Sequence, residues 1–366
     1  MFKVCTVVGT RPEIIKLSST IKKIDKYFNQ ILVHTGQNYD YELNKIFFED
    51  LSLRKPDFYL NSASTSTNST IAKIIKNIDK LFLSEKPDCV LILGDTNSGL
   101  AALAAKKRNI PVFHVEAGNR SFDQRVPEEL NRKLIDHCSD INFTYTSLAK
   151  NYLIEEGLYP DRIINVGSPM LETIENQKSK VNKSHILQKL KIKKNGYFLI
   201  SFHREENVDE KKNLNKFLEI VKWLKNKYNK KIIISTHFRT KKRILENNKN
   251  ISFDKNVMFL NPFSFSDYIK LQKNSYIILS DSGTLTEETS ILKTKGIMLR
   301  NSHERPEGME EATTIMCGLD KGKIEIAIQI LEGKINHKLI KDYDNLNFSD
   351  KIVKNIVSYL NYSIRN

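Results

Sequence analysis

Val4-Cys5-Thr6-Val7-Val8 followed by Gly9-Thr10-Arg11-Pro12-Glu13 is the stretch on which the fold turns. The first five residues read as a short strand. Gly9 permits a sharp turn, and Pro12 suits the first turn of a helix, where its missing N–H would have had no partner. The following residues, Pro12–Phe28, carry Ile14, Ile15, Leu17, Ile21 and Ile24 at the spacing of one buried helix face. A strand that passes through one tight turn into a helix opens a βαβ unit.

The alternation continues outward from there. Further strands are expected at Ile31–His34, Phe58–Leu60, Cys89–Leu93, Val112–Val115, Ile141–Thr144 and Ile163–Val166. Helices fit between them at Tyr41–Leu51, Ile71–Phe82, Ser98–Arg108, Glu128–Ser139 and Ser147–Glu156. The pattern resumes after residue 195 with strands at Tyr197–Phe202, Ile232–Ser235, Val257–Phe259, Ile277–Leu279 and Ile297–Leu299, and with helices at Leu214–Tyr228 and Phe265–Lys273. Strands alternating with helices predict an α/β fold with parallel sheets. Ser62–Thr70 reads as a flexible loop, and Glu175–Lys194 is polar and lysine-rich. The domain boundary is placed at Gly167–Met170, which gives a first doubly wound domain over residues 1–168 and a second over 169–349. Asp350–Tyr362 reads as a final helix.

Composition bounds the function without naming it. A chain of 366 residues suggests two or three domains at about 100–200 residues each. With 40% hydrophobic and 28% charged residues it is neither disordered nor fibrous. Lys+Arg 58 against Asp+Glu 43 leaves a net charge of +15, which admits an anionic partner. The lysines are scattered and lack interleaved aromatics, so no nucleic-acid footprint is formed. The cysteines Cys5, Cys89, Cys138 and Cys317 have neither zinc nor redox spacing and suit a reducing, cytoplasmic setting. No apolar run has the length of a membrane span or a signal peptide core. The histidines are not paired at i, i+4, so no metal site is expected.

The chemistry-bearing residues follow the expected strands, where open α/β sheets bind ligands. Arg11 and Lys16 follow the first strand and place two cations near a helix N-terminus, a ready anion site. Gly94-Asp95-Thr96 follows Cys89–Leu93, and Asp95 there is either a helix N-cap or a functional acid. His114-Val115-Glu116-Ala117-Gly118-Asn119-Arg120 comes next, then Pro127-Glu128-Glu129-Leu130-Asn131-Arg132 opens a helix. Acids in a first turn are also ordinary partners of the helix dipole. In the second half, His203 follows Tyr197–Phe202 and His237 follows Ile232–Thr236. Ser282-Gly283-Thr284 at a helix start offers N–H and hydroxyl donors to a diphosphate, and Glu288, a turn further on, is placed to accept ribose hydroxyls. Together these read as a nucleotide-diphosphate site facing several carboxylates, in a cleft between two domains. The first turn is not a GxGxxG fingerprint, which disfavours a dinucleotide oxidoreductase.

These stretches, with Glu304-Arg305-Pro306-Glu307, resemble the non-hydrolysing UDP-N-acetylglucosamine 2-epimerases over essentially the whole chain, in the family's order. The resemblance implies two Rossmann-like domains in a glycosyltransferase-B arrangement, with the last helix packing back on the first domain. It implies a homodimer with a UDP-sugar substrate and no cofactor, supplying precursors for surface polysaccharide. Arg11, Lys16, Asp95, Glu116, Glu128 and His203 match the family's catalytic positions. His237, Ser282, Gly283 and Glu288, with Arg11 and His203, match its UDP-binding positions. Asn119-Arg120-Ser121 and the residues to Val126 depart from the family's common form and look like a subgroup handling 6-deoxy or diacetamido sugars. Gln37-Asn38-Tyr39-Asp40 stands where many members place a Gln-His pair that contacts an allosteric UDP-sugar. A UDP-sugar glycosyltransferase with the same two-domain plan is the alternative reading.

Overall fold

A computed structural model describes residues 1–37, 41–123, 126–236, 240, 243–244, 246, 255–333 and 338–360. The chain divides into two compact units, Met1–Asn176 with Asp342–Asn366, and Gln177–Lys341. The first junction falls one short helix beyond Ser168, because Met170–Asn176 packs on the first helix of the chain and Asn176 donates to Ser19 Oγ at 2.9 Å.

The first unit is built on seven parallel strands: β1 (Lys3–Val8), β2 (Asn29–His34), β3 (Phe58–Tyr59), β4 (Cys89–Leu93), β5 (Val112–Ala117), β6 (Ile141–Thr144) and β7 (Ile163–Asn165). Their order is β3-β2-β1-β4-β5-β6-β7. The intervening helices are α1 (Arg11–Tyr27), α2 (Tyr41–Asp50), α3 (Thr67–Glu85), α4 (Ala101–Lys107), α5 (Pro127–Cys138), α6 (Ser147–Glu155) and α7 (Met170–Asn176). Central strands such as β4 are buried throughout, so they read as unbroken apolar runs rather than alternating ones. One core packs Val7, Val33, Val90 and Ile92 against Ile78 and Phe82 of α3 and the alanines of α4.

The second unit has six parallel strands in the order β10-β9-β8-β11-β12-β13: β8 (Tyr197–Ser201), β9 (Lys231–Ser235), β10 (Val257–Leu260), β11 (Ile277–Ser280), β12 (Gly296–Met298) and β13 (Thr314–Met316). Successive residues of β8 feed opposite cores. Phe198 and Ile200 join Leu214, Phe217 and Val221 on one face, while Tyr197 and Leu199 join Ile233, Ile278 and Leu285 on the other. Phe202 stacks on Phe217 with ring centroids 4.1 Å apart.

Several local expectations change. Thr67–Thr70 belongs to α3 rather than to a loop, since Ser66 caps it by accepting from Ser69 N–H at 3.2 Å. The helix expected at Ser98–Arg108 begins as a 3₁₀ turn, Asn97–Leu100. The polar segment Glu175–Lys194 contains two short helices, Lys178–Lys183 and Ile186–Lys189, each anchored by one buried apolar residue, Val181 and Ile186. The edge strand β13 is absent from the sequence reading, because Thr314–Met316 is too short to show a period. Asn361 and Tyr362 lie outside the described residues. Among the described residues, no helix is long and apolar enough to cross a membrane.

The helix Phe348–Tyr359 belongs to the first unit and packs on α1. Ser349 at its start donates its backbone N–H to Glu172 Oε2 at 2.9 Å, and Ile352 and Ile356 are fully buried. Replacing Ile356 by Ala should therefore cost about 2–5 kcal/mol. Val357→Ala on the adjoining exposed face should stay within about 0.5 kcal/mol. Urea unfolding followed by circular dichroism checks the pair. Equal shifts of the transition would show that this helix contributes nothing to the core.

Candidate active site

Both sheets reverse strand order at one point, between β1 and β4 in the first unit and between β8 and β11 in the second. A crevice at the carboxyl ends of the strands is expected at each reversal. Arg11 and Asp95 follow β1 and β4, and His203 and Ser282 follow β8 and β11, the strands on either side of these reversals.

In the first unit, the turn after β1 is shaped by close approach. A Cβ at Gly9 would collide with the hydroxyls of Ser98 and Thr35. Glu13, buried in the first turn of α1, accepts from Gly9 N–H at 2.5 Å and Thr10 N–H at 3.1 Å, and also from the Thr96 hydroxyl. Thus one carboxylate joins the loop after β1 to the loop after β4. Arg11 lies over the ring of Phe47 at 5.5 Å. Lys16 is buried and forms an ion pair with Glu116, with its ammonium 5.7 Å from the centre of the Tyr145 ring.

Glu116 sits at an irregularity in β5, where the register with β6 shifts, and its backbone is left-handed at φ +67°. A non-glycine residue in that region is held there by its surroundings. Asn119 Nδ2 stands 3.5 Å from Glu116 Oε1. Asp95 is not the N-cap that its position suggests. Thr96 takes that part, accepting from Ser98 N–H at 3.2 Å, and Asp95 instead pairs with Arg132 of α5. Asn131 of the same helix donates to the Asp95 carbonyl at 3.0 Å. Glu128 lies in the first turn of α5, one turn before Arg132, on the helix that holds Asp95. Asp95 and Glu116 therefore each face a cation.

In the second unit, Asp281 follows β11 and is fully buried. It accepts from the backbone N–H of His203 at 3.0 Å and of Arg204 at 2.9 Å, and from Asn207 Nδ2 at 3.2 Å. His203 Nδ1 lies 3.2 Å from the same carboxylate, which orients a ring that stays 29% exposed. The helix Leu285–Leu292 begins just after Ser282, Gly283 and Thr284, and the hydroxyls of Ser282 and Thr284 are 3.0 Å apart. A Cβ at Gly283 would stand 3.2 Å from Arg305 Nη1, 3.7 Å from Glu304 Oε2 and 3.8 Å from Arg204 Nη2, so two guanidinium groups and one carboxylate flank this helix start. Glu288 is buried and accepts from Gln272 Nε2 at 2.5 Å. His237 lies outside the described residues, as do Asn38–Asp40, Gln124 and Arg125.

The profile of the UDP-N-acetylglucosamine 2-epimerase family matches residues 22–360. The chain belongs to this family. It is thereby an isomerase, and membership favours the epimerase reading over the glycosyltransferase one. A UDP-N-acetylglucosamine 2-epimerase from Rickettsia bellii is 46% identical, with a TM-score of 0.92 over 100% of this chain and 99% of its own. The Methanocaldococcus jannaschii UDP-GlcNAc 2-epimerase, solved in complex with UDP-GlcNAc and UDP, is 38% identical with a TM-score of 0.92 over 98% of this chain and 100% of its own. A UDP-2,3-diacetamido-2,3-dideoxy-D-glucuronate 2-epimerase from Pseudomonas aeruginosa is 32% identical over 337 residues, covering 91% of this chain and 93% of that protein.

Within this epimerase, sequence reading missed the residues that position others. Arg132 belongs to the stretch that opens a helix at Pro127, and Asp281 directly precedes Ser282, but nothing in their spacing points to Asp95 or His203. Asp136 and Gln272 carry no local signal, and the stretch that holds Arg305 does not reveal its pairing with Glu287 (2.8 Å), because the partners come from distant segments.

Glu13 has a measurable consequence. Burial pushes its carboxyl from the ordinary 4.5 up to about 7, against the opposing pull of the Thr96, Gly9 and Thr10 donors. Between those values the folded chain holds a proton that the unfolded chain has released, so stability falls as pH rises through the window. This contribution is fully present below 4.5 and lost above about 7. Denaturant melts at about pH 5 and about pH 7.5 should show wild type losing more stability between them than Glu13→Gln does. Parallel losses would remove Glu13 from the linkage.

Proposed function

We propose that this epimerase inverts C2 of UDP-N-acetylglucosamine to give UDP-N-acetylmannosamine, by eliminating UDP and adding it back. The reading rests on the pairing of Asp95 with Arg132 and of Glu116 with Lys16 at the ends of neighbouring strands, which puts charged carboxylates beside cations in one place. C2 of a pyranose is not next to a carbonyl, and its proton is barely acidic. One general base supplies about 10²–10⁴-fold, too little for direct deprotonation. Loss of the proton coupled to departure of UDP from C1 needs no carbanion and leaves a 1,2-unsaturated glycal. Protonation of C2 from the opposite face, with return of UDP to C1, completes the inversion.

In this reading Asp95, Glu116 and Glu128 form the acid and base set. Arg11, Lys16 and His203 stabilise charge on the leaving diphosphate. Ser282 and Gly283 bind the diphosphate by donor groups at a helix start, and Glu288 accepts the ribose hydroxyls. His237 is kept as a UDP contact on the family match alone. The 46% and 38% identity to UDP-GlcNAc 2-epimerases, against 32% to the diacetamido enzyme, favours the GlcNAc substrate. We place the enzyme in the cytoplasm as a homodimer that supplies a surface-polysaccharide precursor. Its four cysteines form no disulfide, in keeping with a reducing compartment. The two-domain plan, with the final helix returning to the first domain, is kept, its limits moved to those of the two compact units.

Two experiments test this. With UDP-GlcNAc in D₂O, deuterium should enter C2 of the product, and ¹⁸O in the bridging C1–O position should scramble into the phosphate. Inversion with neither would exclude elimination, and stoichiometric UDP release would signal hydrolysis. Separately, Asp95→Asn and Glu128→Gln should each lower turnover by about 100-fold or more with the fold intact. A variant keeping more than about a tenth of wild-type turnover would lose its acid–base assignment.

A further inference from the structure

His114 and Asp136 are both completely buried, and the mechanism above uses neither. They lie between the two strand ends that carry Asp95 and Glu116. His114 Nε2 is 2.8 Å from the carbonyl oxygen of Gly94, the residue before Asp95. Asp136 accepts the backbone N–H of Gly118, two residues after Glu116, at 3.2 Å. The ring and the carboxylate meet, with His114 Nδ1 2.9 Å from Asp136 Oδ1. Three residues bracketed by these contacts have left-handed backbone: Gly94 at φ +74°, Glu116 at +67° and Gly118 at +77°. The two loops leave regular strand geometry where the pair grips them.

The carboxylate end of the pair is held in turn. Asp136 faces Arg120 Nη1 at 2.7 Å. Burial alone would raise its carboxyl, but His114 and Arg120 hold it below the ordinary carboxylate value, so it accepts. Arg120 also pairs with Glu156 at 2.7 Å.

We propose that His114 is a buried positioning residue which, with Asp136, sets the separation of the Asp95 and Glu116 carboxylates across the sugar's C2. The effect on turnover rests on the elimination reading. Re-addition requires the second carboxylate to reach the opposite face of C2 before the intermediates escape. A slackened brace therefore lets a larger share of eliminations end as free UDP and glycal.

The test has two arms. His114→Gln and Asp136→Asn are first assayed with UDP-GlcNAc for free UDP released per C2 inversion. That ratio does not depend on the fraction of folded protein. It should rise several-fold in a variant that folds, with the thermal shift given by UDP alone unchanged. A wild-type ratio in a folded variant overturns the positioning role. Wild-type enzyme that fails to invert C2 would overturn the substrate reading instead, and the second arm would still decide the brace: hydrogen exchange at the Gly118 amide should quicken several-fold in Asp136→Ala, and a wild-type rate in the folded variant overturns it.

Discussion

A parallel sheet satisfies its backbone along the strands but abandons it where they end, and buried carboxylates make good that loss in this protein. Loops at strand ends lose their ladder partners, and a buried N–H without an acceptor is costly. Glu13 accepts from Gly9 and Thr10, Asp136 from Gly118, and Asp281 from His203 and Arg204. Each carboxylate thereby fixes the backbone beside a candidate catalytic or binding side chain. Because a carboxylate accepts from several directions at once, one residue can tie two loops together, as Glu13 does through Thr96 and Asp281 through Asn207.

This bracing matters because of where the loops lie. Each sheet reverses its strand order once, and the loops flanking the reversal diverge to opposite faces. A ligand site is expected between loops that diverge in this way. The price of that divergence is a set of polar groups without regular partners. The left-handed backbone of Gly94, Glu116 and Gly118 is the local expression of the same constraint.

Much of this was legible in the chain. The alternation of apolar runs and helical spacing yields the α/β class, since burial on both faces makes central strands such as β4 apolar runs. The residues after each strand were readable as a site because chemistry there uses Arg, Lys, Asp, Glu and His in short stretches. Short or irregular pieces were not. Thr314–Met316 and the helices at Lys178–Lys183 and Ile186–Lys189 are too brief to show a period, and their neighbours stabilise them.

Asp95 shows where the sequence stops. Its place after a strand suits a cap as well as an acid, and only the arrival of Arg132 from α5 separates the two. Likewise His114 reads as one more residue of a buried strand until Asp136 and Gly94 are seen on either side of its ring. Local order along the chain determined the strands, the turns, the identity of the charged groups and the family they match. Which charges face each other, and so which side chains position and which are positioned, was decided by tertiary structure. The physical reason is distance: periodicity and turn chemistry act over a few residues, whereas an ion pair forms between side chains that only the folded sheet brings within 3 Å or so of each other.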